Sequence, residues 1–149
     1  MGRRTYRPQF GATGVAYNDG LYATSPATLI PMLSDLVLST ERESFAVVGM
    51  NRAHRVVASE VLTTGCDGLC IVDPKQIFRW ALTRARPVSA VILCHNHPSG
   101  DPTPSNEDRQ VTFRVSEAGR VLGIRVLDHL IIGDVARWES MAARGEVRQ

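Results

Sequence analysis

The stretch His95-Asn96-His97-Pro98 is followed, after six intervening residues, by Ser105-Asn106-Glu107-Asp108. His95 and His97 stand two apart at the end of a nearly continuous apolar run, Val88 to Cys94, which reads as a buried strand. A strand repeats its side-chain direction every second residue, so both imidazoles leave the same face. Asp108 falls in the first turn of the helix that Ser105 would open. The proline-punctuated loop between them, from Pro98 to Pro104, folds back and lets the carboxylate meet the imidazoles. Two neutral imidazoles and one carboxylate make a catalytic zinc set that leaves the fourth tetrahedral position to water. Zinc lowers the pKa of bound water to about 7, so hydroxide is available at neutral pH. The expectation is one Zn2+ per chain, held by His95, His97 and Asp108.

A plainer reading of the same residues exists. Ser105 with Asp108 three positions on fits a helix-capping pattern, and two histidines beside a loop can be surface residues. Their concentration at a strand end, where α/β proteins place their sites, favours the metal. Such a site needs a general base that is not a tight ligand, able to take a proton from water and pass it to a leaving group. Asp128 and His129 are neighbours on a later strand, so one of them at most faces the site. A role there in fixing a metal ligand is expected. Cys94 adjoins His95, faces the other way and reads as a buried structural thiol.

The elements that must position these residues are legible. Ser25-Pro26 reads as an N-cap followed by the first helical position, with Leu29, Leu33, Leu36 and Val37 at helical spacing. Pro31 removes a backbone hydrogen bond and points to a start as late as Pro31 itself. Phe45 to Met50 and Arg55 to Thr63 read as paired strands around a turn at Asn51-Arg52-Ala53, followed by a loop at Thr64 to Gly68. Asp73-Pro74 opens a second helix with Ile77, Phe78, Ala81, Leu82 and Ala85 as its apolar stripe. A third helix from Ser105 carries Val111, Val115, Ala118 and Leu122 and ends at Gly123. Strands follow from Ile124 to Ile132 and from about Val135 to Met141. The class is α/β, a mixed sheet with helices packed on it. Residues 1–24 are expected to form a flexible N-terminal arm and 25–149 the single hydrolase domain.

Composition sets the outer bounds. The chain has 149 residues, 44% hydrophobic and 21% charged, with a formal net charge of +2. This is an ordinary globular balance that neither demands nor excludes nucleic acid. No apolar run approaches the ~20 residues of a membrane span, and the basic start is followed by no apolar signal core. The cysteines Cys66, Cys70 and Cys94 are odd in number and lack a framework spacing, which points to reduced thiols and a cytoplasmic location. Cys66 and Cys70, with three residues between them, make a poor zinc knuckle.

The pattern H-x-H-P-x6-S-x-x-D is similar to the metal motif of the JAB/MPN (JAMM) zinc hydrolases and matches it at every defined position. Glu43-Ser44-Phe45, the Gly65 loop followed by Asp73-Pro74, the central HNHPSGDPTPS run and Leu127-Asp128-His129-Leu130-Ile131-Ile132-Gly133 resemble the RadC branch of that family. The likeness spans roughly Ser25 to Gly145. It implies a zinc site, a curved sheet flanked by helices in a cytidine-deaminase-like architecture, and peptide or isopeptide hydrolysis. It also implies that the general base is a glutamate just before the first strand, which selects Glu43, with Glu41 its nearest rival and Glu60 third. Ser105, besides capping its helix, is implied as a donor to the developing oxyanion. The full-length RadC pattern carries a helix-hairpin-helix segment ahead of the JAB domain. Only about two dozen residues precede the first helix here, so that segment is expected to be missing.

Three functions compete. A zinc-dependent peptidase or isopeptidase, acting on a peptide or protein, is the first. A metal-dependent nuclease or DNA-repair-associated protein is the second, and a non-catalytic MPN-type interaction module the third. A nuclease must hold a polyanion through clustered Lys and Arg. Here Arg79, Arg84 and Arg86 follow one helix, Arg109, Arg114 and Arg120 another, and only Arg3, Arg4 and Arg7 are concentrated. Such scattering reads as solvated helical faces. Inactive MPN domains typically lack metal ligands, whereas this chain has the full set.

Overall fold

The computed structural model describes residues 9–10, 16–17, 21, 23–38, 41–65 and 72–148. Most of the expected arm, with Arg3, Arg4 and Arg7, lies outside the described residues, as do Cys66 and Cys70. The central feature is a seven-stranded mixed sheet. Its strands are β1 (Gln9–Phe10), β2 (Ala16–Tyr17), β3 (Ser44–Met50), β4 (Val56–Thr64), β5 (Ala90–Asn96), β6 (Arg125–Asp134) and β7 (Arg137–Ser140), in the order β1-β2-β4-β3-β5-β6-β7. Among the described strands, only β5 and β6 pair in parallel. The crossover between them is α3 (Asn106–Leu122), the long connection a parallel pair requires.

Both faces of the sheet are covered, which is why β3 and β5 are buried at every position instead of alternating. Ala46, Val48, Met50, Ile92, Cys94, Leu130 and Ile132 pack with α1 (Pro26–Val37). Phe45, Val47, Val91, Leu93 and Ile131 pack with α2 (Pro74–Leu82) and α3. The mixed α/β architecture with flanking helices agrees with the sequence reading. Among the described residues no helix is long and apolar enough to cross a membrane.

Several local expectations are corrected. The first helix starts at Pro26, as Ser25-Pro26 indicated, and the alternative start at Pro31 fails because the helix runs through that residue. Pro31 is exposed there, while Leu29, Ile30, Met32 and Leu33 around it are buried, so core packing outweighs the lost hydrogen bond. Ser25 occupies the N-cap position, yet its side chain makes no capping bond. Asp73 does cap α2, accepting the Lys75 N–H at 2.9 Å. On α2 the buried face is Ile77, Phe78, Trp80 and Ala81, whereas Leu82 is 63% exposed. Trp80 is turned inward because Glu60 accepts its indole N–H at 2.6 Å, so that carboxylate is engaged structurally. Leu122, expected on the apolar face of α3, is half exposed in its last turn.

The loop after β5 is held against β6 by backbone. His97 N–H donates to Ile132 O at 2.9 Å, and Gly100 N–H to His97 O at 2.9 Å. Gly133 permits this approach, since a Cβ there would overlap the Gly100 carbonyl. Gly100 itself sits at φ 84°, the left-handed region that glycine adopts without strain.

Candidate metal centre

The end of β5 and the first turn of α3 bring the predicted residues together. His95 lies on the α2/α3 face of the sheet, opposite Phe45 on β3 and Ile131 on β6. His97 follows the strand end. Their Nε2 atoms are 2.9 Å apart. Asp108 spans both, with Oδ1 3.1 Å from His95 Nε2 and Oδ2 3.2 Å from His97 Nε2. The loop returns Asp108 to this position through a reciprocal cap: Ser105 N–H donates to Asp108 Oδ2 at 2.7 Å, and Asp108 N–H to Ser105 Oγ at 3.1 Å. The capping pattern and the site are therefore the same residues, with Ser105 as the N-cap of α3.

Glu43, the residue before β3, approaches from the other side, its Oε1 4.0 Å from His95 Nε2. Glu43, His95 and His97 each offer an atom to a group whose members lie within 4.8 Å of one another and which could hold a metal ion. Of the rival carboxylates, Glu41 is exposed and Glu60 is committed to Trp80. The backbone of Glu43 is fixed on three sides. Its carbonyl accepts the Gly65 N–H at 3.0 Å. Asn96 donates to the Arg42 carbonyl at 3.0 Å and accepts the Ser44 N–H at 2.7 Å. The Asn96 side chain, between the two histidines in sequence and directed oppositely, thus brackets Glu43.

Behind His95 lies a buried polar chain. His95 Nδ1 is 2.7 Å from His129 Nε2, and His129 Nδ1 is 2.6 Å from Thr112 Oγ1. The Phe45 ring stacks over His95 at 6.1 Å and meets His129 edge-on at 5.6 Å, sealing this side from water. Of the pair Asp128 and His129, His129 faces the site. Asp128 instead accepts from Ser140 Oγ at 2.6 Å and from the Ala142 N–H at 2.9 Å, tying down the turn after β7. Cys94, as its parity required, is fully buried on the α1 side, where desolvation pushes its thiol far up.

The imidazoles and the carboxylate perturb one another strongly. Burial opposes ionisation of Asp108, but the hydrogen bonds that His95 and His97 donate from Nε2 in their protonated forms outweigh it and hold the carboxyl far below the usual range. His97 is raised, first by its hydrogen bond to Asp108, against an opposing contribution from burial. His129 is pushed well below the ordinary histidine value, first by burial and then by the neighbouring His95.

The donor set fits a metal. His97 Nδ1 is 2.8 Å from the Asp101 carbonyl oxygen, which can only accept, so Nδ1 carries the hydrogen and Nε2 of the neutral ring is a bare lone pair. That lone pair points at His95 Nε2 and at a carboxylate. Tetrahedral zinc with bonds of 2.0–2.1 Å sets ligand atoms about 3.3 Å apart. The two imidazole nitrogens are 2.9 Å apart, and one carboxylate oxygen of Asp108 lies 3.1 Å from His95 and the other 3.2 Å from His97, so all three residues are within reach of one ion. The 4.0 Å from Glu43 to His95 is longer, as suits a group beside the metal more than one bound tightly to it.

Fold and site together define a domain of the JAB type with a candidate metal centre. Residues 23–146 match the RadC-like JAB domain, and the chain belongs to that family. It is 47% identical over 111 residues to a UPF0758 protein of Caldanaerobacter subterraneus subsp. tengcongensis, covering 74% of this chain and 47% of that protein. A UPF0758 protein of Geobacillus sp. (strain WCH70) is 35% identical over 147 residues, covering 99% of this chain and 61% of the relative. The chain spans about half the length of the first of these relatives.

Two residues of the site escaped the sequence reading. Thr112 lies one helical turn after Asp108 on the same face, a spacing that could have found it. Asn96 could have been found only from its position between two candidate ligands.

Proposed function

We propose that the chain is a JAMM-type zinc hydrolase that cleaves a peptide or isopeptide bond, with His95, His97 and Asp108 holding the ion. The observation that carries this is the convergence of two imidazole Nε2 atoms and one carboxylate within 3.2 Å, with the Glu43 carboxylate 4.0 Å away. A zinc ion bound there supplies Lewis acidity and brings the pKa of water to about 7.

The chain's own residues supply the rest. Glu43 accepts a proton from the attacking water as its oxygen bonds to the amide carbonyl carbon, and returns that proton to the nitrogen as the C–N bond breaks. Ser105 Oγ accepts the Asp108 N–H, and that bond leaves its own hydrogen to donate to the developing oxyanion. The Asn96 bracket holds Glu43 at the distance its two proton transfers require. Amide hydrolysis suits one ion with one nearby carboxylate, whereas many phosphodiesterases use two metals about 3.5–4 Å apart. The test is to offer zinc-loaded protein panels of peptides, ubiquitin-like conjugates and DNA, with Glu43→Gln as the control. Amide cleavage absent from the variant supports the proposal. Cleavage of DNA alone, lost in the same variant, replaces it with the nuclease.

A further inference from the structure

We infer that Thr112 and His129 form a positioning relay that sets the tautomer of His95, leaving its Nε2 bare for a metal ion. The inference deepens the proposed metal site and rests on that reading for its purpose, but the tautomer itself does not depend on a metal.

The direction of the relay follows from what each atom can do. Thr112 Oγ1 lies 2.6 Å from the Asp108 carbonyl oxygen. A carbonyl oxygen has no hydrogen, so the hydroxyl hydrogen of Thr112 is spent there. Thr112 Oγ1 can then only accept from His129 Nδ1, 2.6 Å away, and His129 must carry its hydrogen on Nδ1. In the neutral ring this leaves His129 Nε2 as a lone pair. His95 Nδ1, at 2.7 Å, therefore donates to it. In the neutral form of His95 the remaining nitrogen, Nε2, is bare, and it is the atom that faces His97 and Asp108. Each link is buried: Thr112 is 0%, His129 1% and His95 2% exposed. No bulk water is at hand to substitute for a missing link.

The relay also closes on itself. Its first acceptor is the main-chain carbonyl of Asp108, the residue whose carboxylate faces His95 from the other side. One helical turn of α3 thus presents a carboxylate to Nε2 of His95 and, through Thr112 and His129, an acceptor to Nδ1. Second partners of this kind fix the tautomer and orientation of histidine ligands and raise their basicity.

Removing the Thr112 hydroxyl leaves His129 Nδ1–H without its acceptor. His129 then gains by moving the hydrogen to Nε2, which forces the hydrogen of His95 from Nδ1 to Nε2, into the space a metal needs. The substitutions Thr112→Val and His129→Leu break the relay. Thr112→Ser keeps the hydroxyl, and His129→Gln keeps an oxygen able to accept from His95 Nδ1.

The decisive experiment uses long-range 1H–15N spectra of the metal-free full chain at alkaline pH, which distinguish protonated from bare ring nitrogens, together with zinc titration of each variant. The expected result is His95 protonated on Nδ1 in the wild type, with an Nε2-protonated population in Thr112→Val. Zinc affinity is expected to fall about ten- to hundredfold in Thr112→Val and His129→Leu and to be retained in Thr112→Ser and His129→Gln. A wild-type His95 protonated on Nε2 overturns the inference, as does a folded Thr112→Val that binds zinc like the wild type. If the wild type takes up no zinc but its tautomer shifts as expected, the relay stands and the metal reading falls. Should the variants fail to fold, the wild-type spectrum alone decides.

Discussion

The side-chain oxygen of Asn96 accepts the amide hydrogen of Ser44 at 2.7 Å, across 52 residues of sequence. Together with the bond from Asn96 to the Arg42 carbonyl, it fixes the backbone on either side of Glu43. The residue between the two histidines therefore controls where the carboxylate stands. Replacing it with alanine leaves a buried Ser44 N–H without a partner, which costs about 1–3 kcal/mol. Asn96→Ala should lose stability of that order in urea denaturation while retaining zinc, and its turnover should fall further than its zinc content. Unchanged stability would show that the bracket is replaceable by water.

Glu43→Gln should keep the fold and the metal but lose turnover by about 10²–10⁴-fold, because an amide cannot accept the proton. Glu41→Gln should leave turnover intact. Parallel kinetics and metal analysis of the two variants check this. An inactive Glu41→Gln beside an active Glu43→Gln would mean that the other carboxylate is the base.

Gly133 is the point where β6 meets the loop that carries His97. An added methyl group would overlap the Gly100 carbonyl and push that loop outward. Gly133→Ala is expected to cost about 1–3 kcal/mol, the usual range for overpacking, and to weaken metal binding by displacing His97. Thermal denaturation with and without added zinc separates the two effects: the stabilisation given by zinc should shrink in the variant.

Glu146 ties the C-terminal turn to the helix that carries Asp108. Burial works against its ionisation, but hydrogen bonds from Arg109 and Arg144 prevail, and its carboxyl is lowered from the usual value. A group whose folded pKa is depressed contributes stability above its unfolded pKa and loses it as pH falls through the folded value. Glu146→Gln should therefore be less stable than the wild type at pH 7, by less than about 1 kcal/mol since the pair is near the surface. The difference should close in acid, below the range where free glutamates titrate. Denaturation curves at neutral and acidic pH measure it. A difference that persists unchanged in acid would assign the effect to packing.

Much of the site was readable because its logic is local. Period two put His95 and His97 on one face, and Ser105 with Asp108 fitted the first turn of a helix. Strands β3 to β7 and the three helices followed from apolar periodicity with caps and prolines, whereas β1 and β2 fall in the stretch read as a flexible arm. What was not legible depends on partners distant in sequence. Pro31 is tolerated because the surrounding turn is buried against the sheet. Trp80 is turned inward by Glu60, twenty residues earlier. Asn96 finds its partners on β3 and the residues before it, and the orientation of His129 is fixed by Thr112 from α3. No spacing rule within a single element reports such pairings.

The central claim is that His95, His97 and Asp108 together hold one metal ion. Elemental analysis of the purified chain and of His97→Ala and Asp108→Asn tests it most directly. Near-stoichiometric zinc is expected in the wild type, with loss of most of it in both variants. Full retention of zinc in either variant, or a wild type that takes up none, would contradict it.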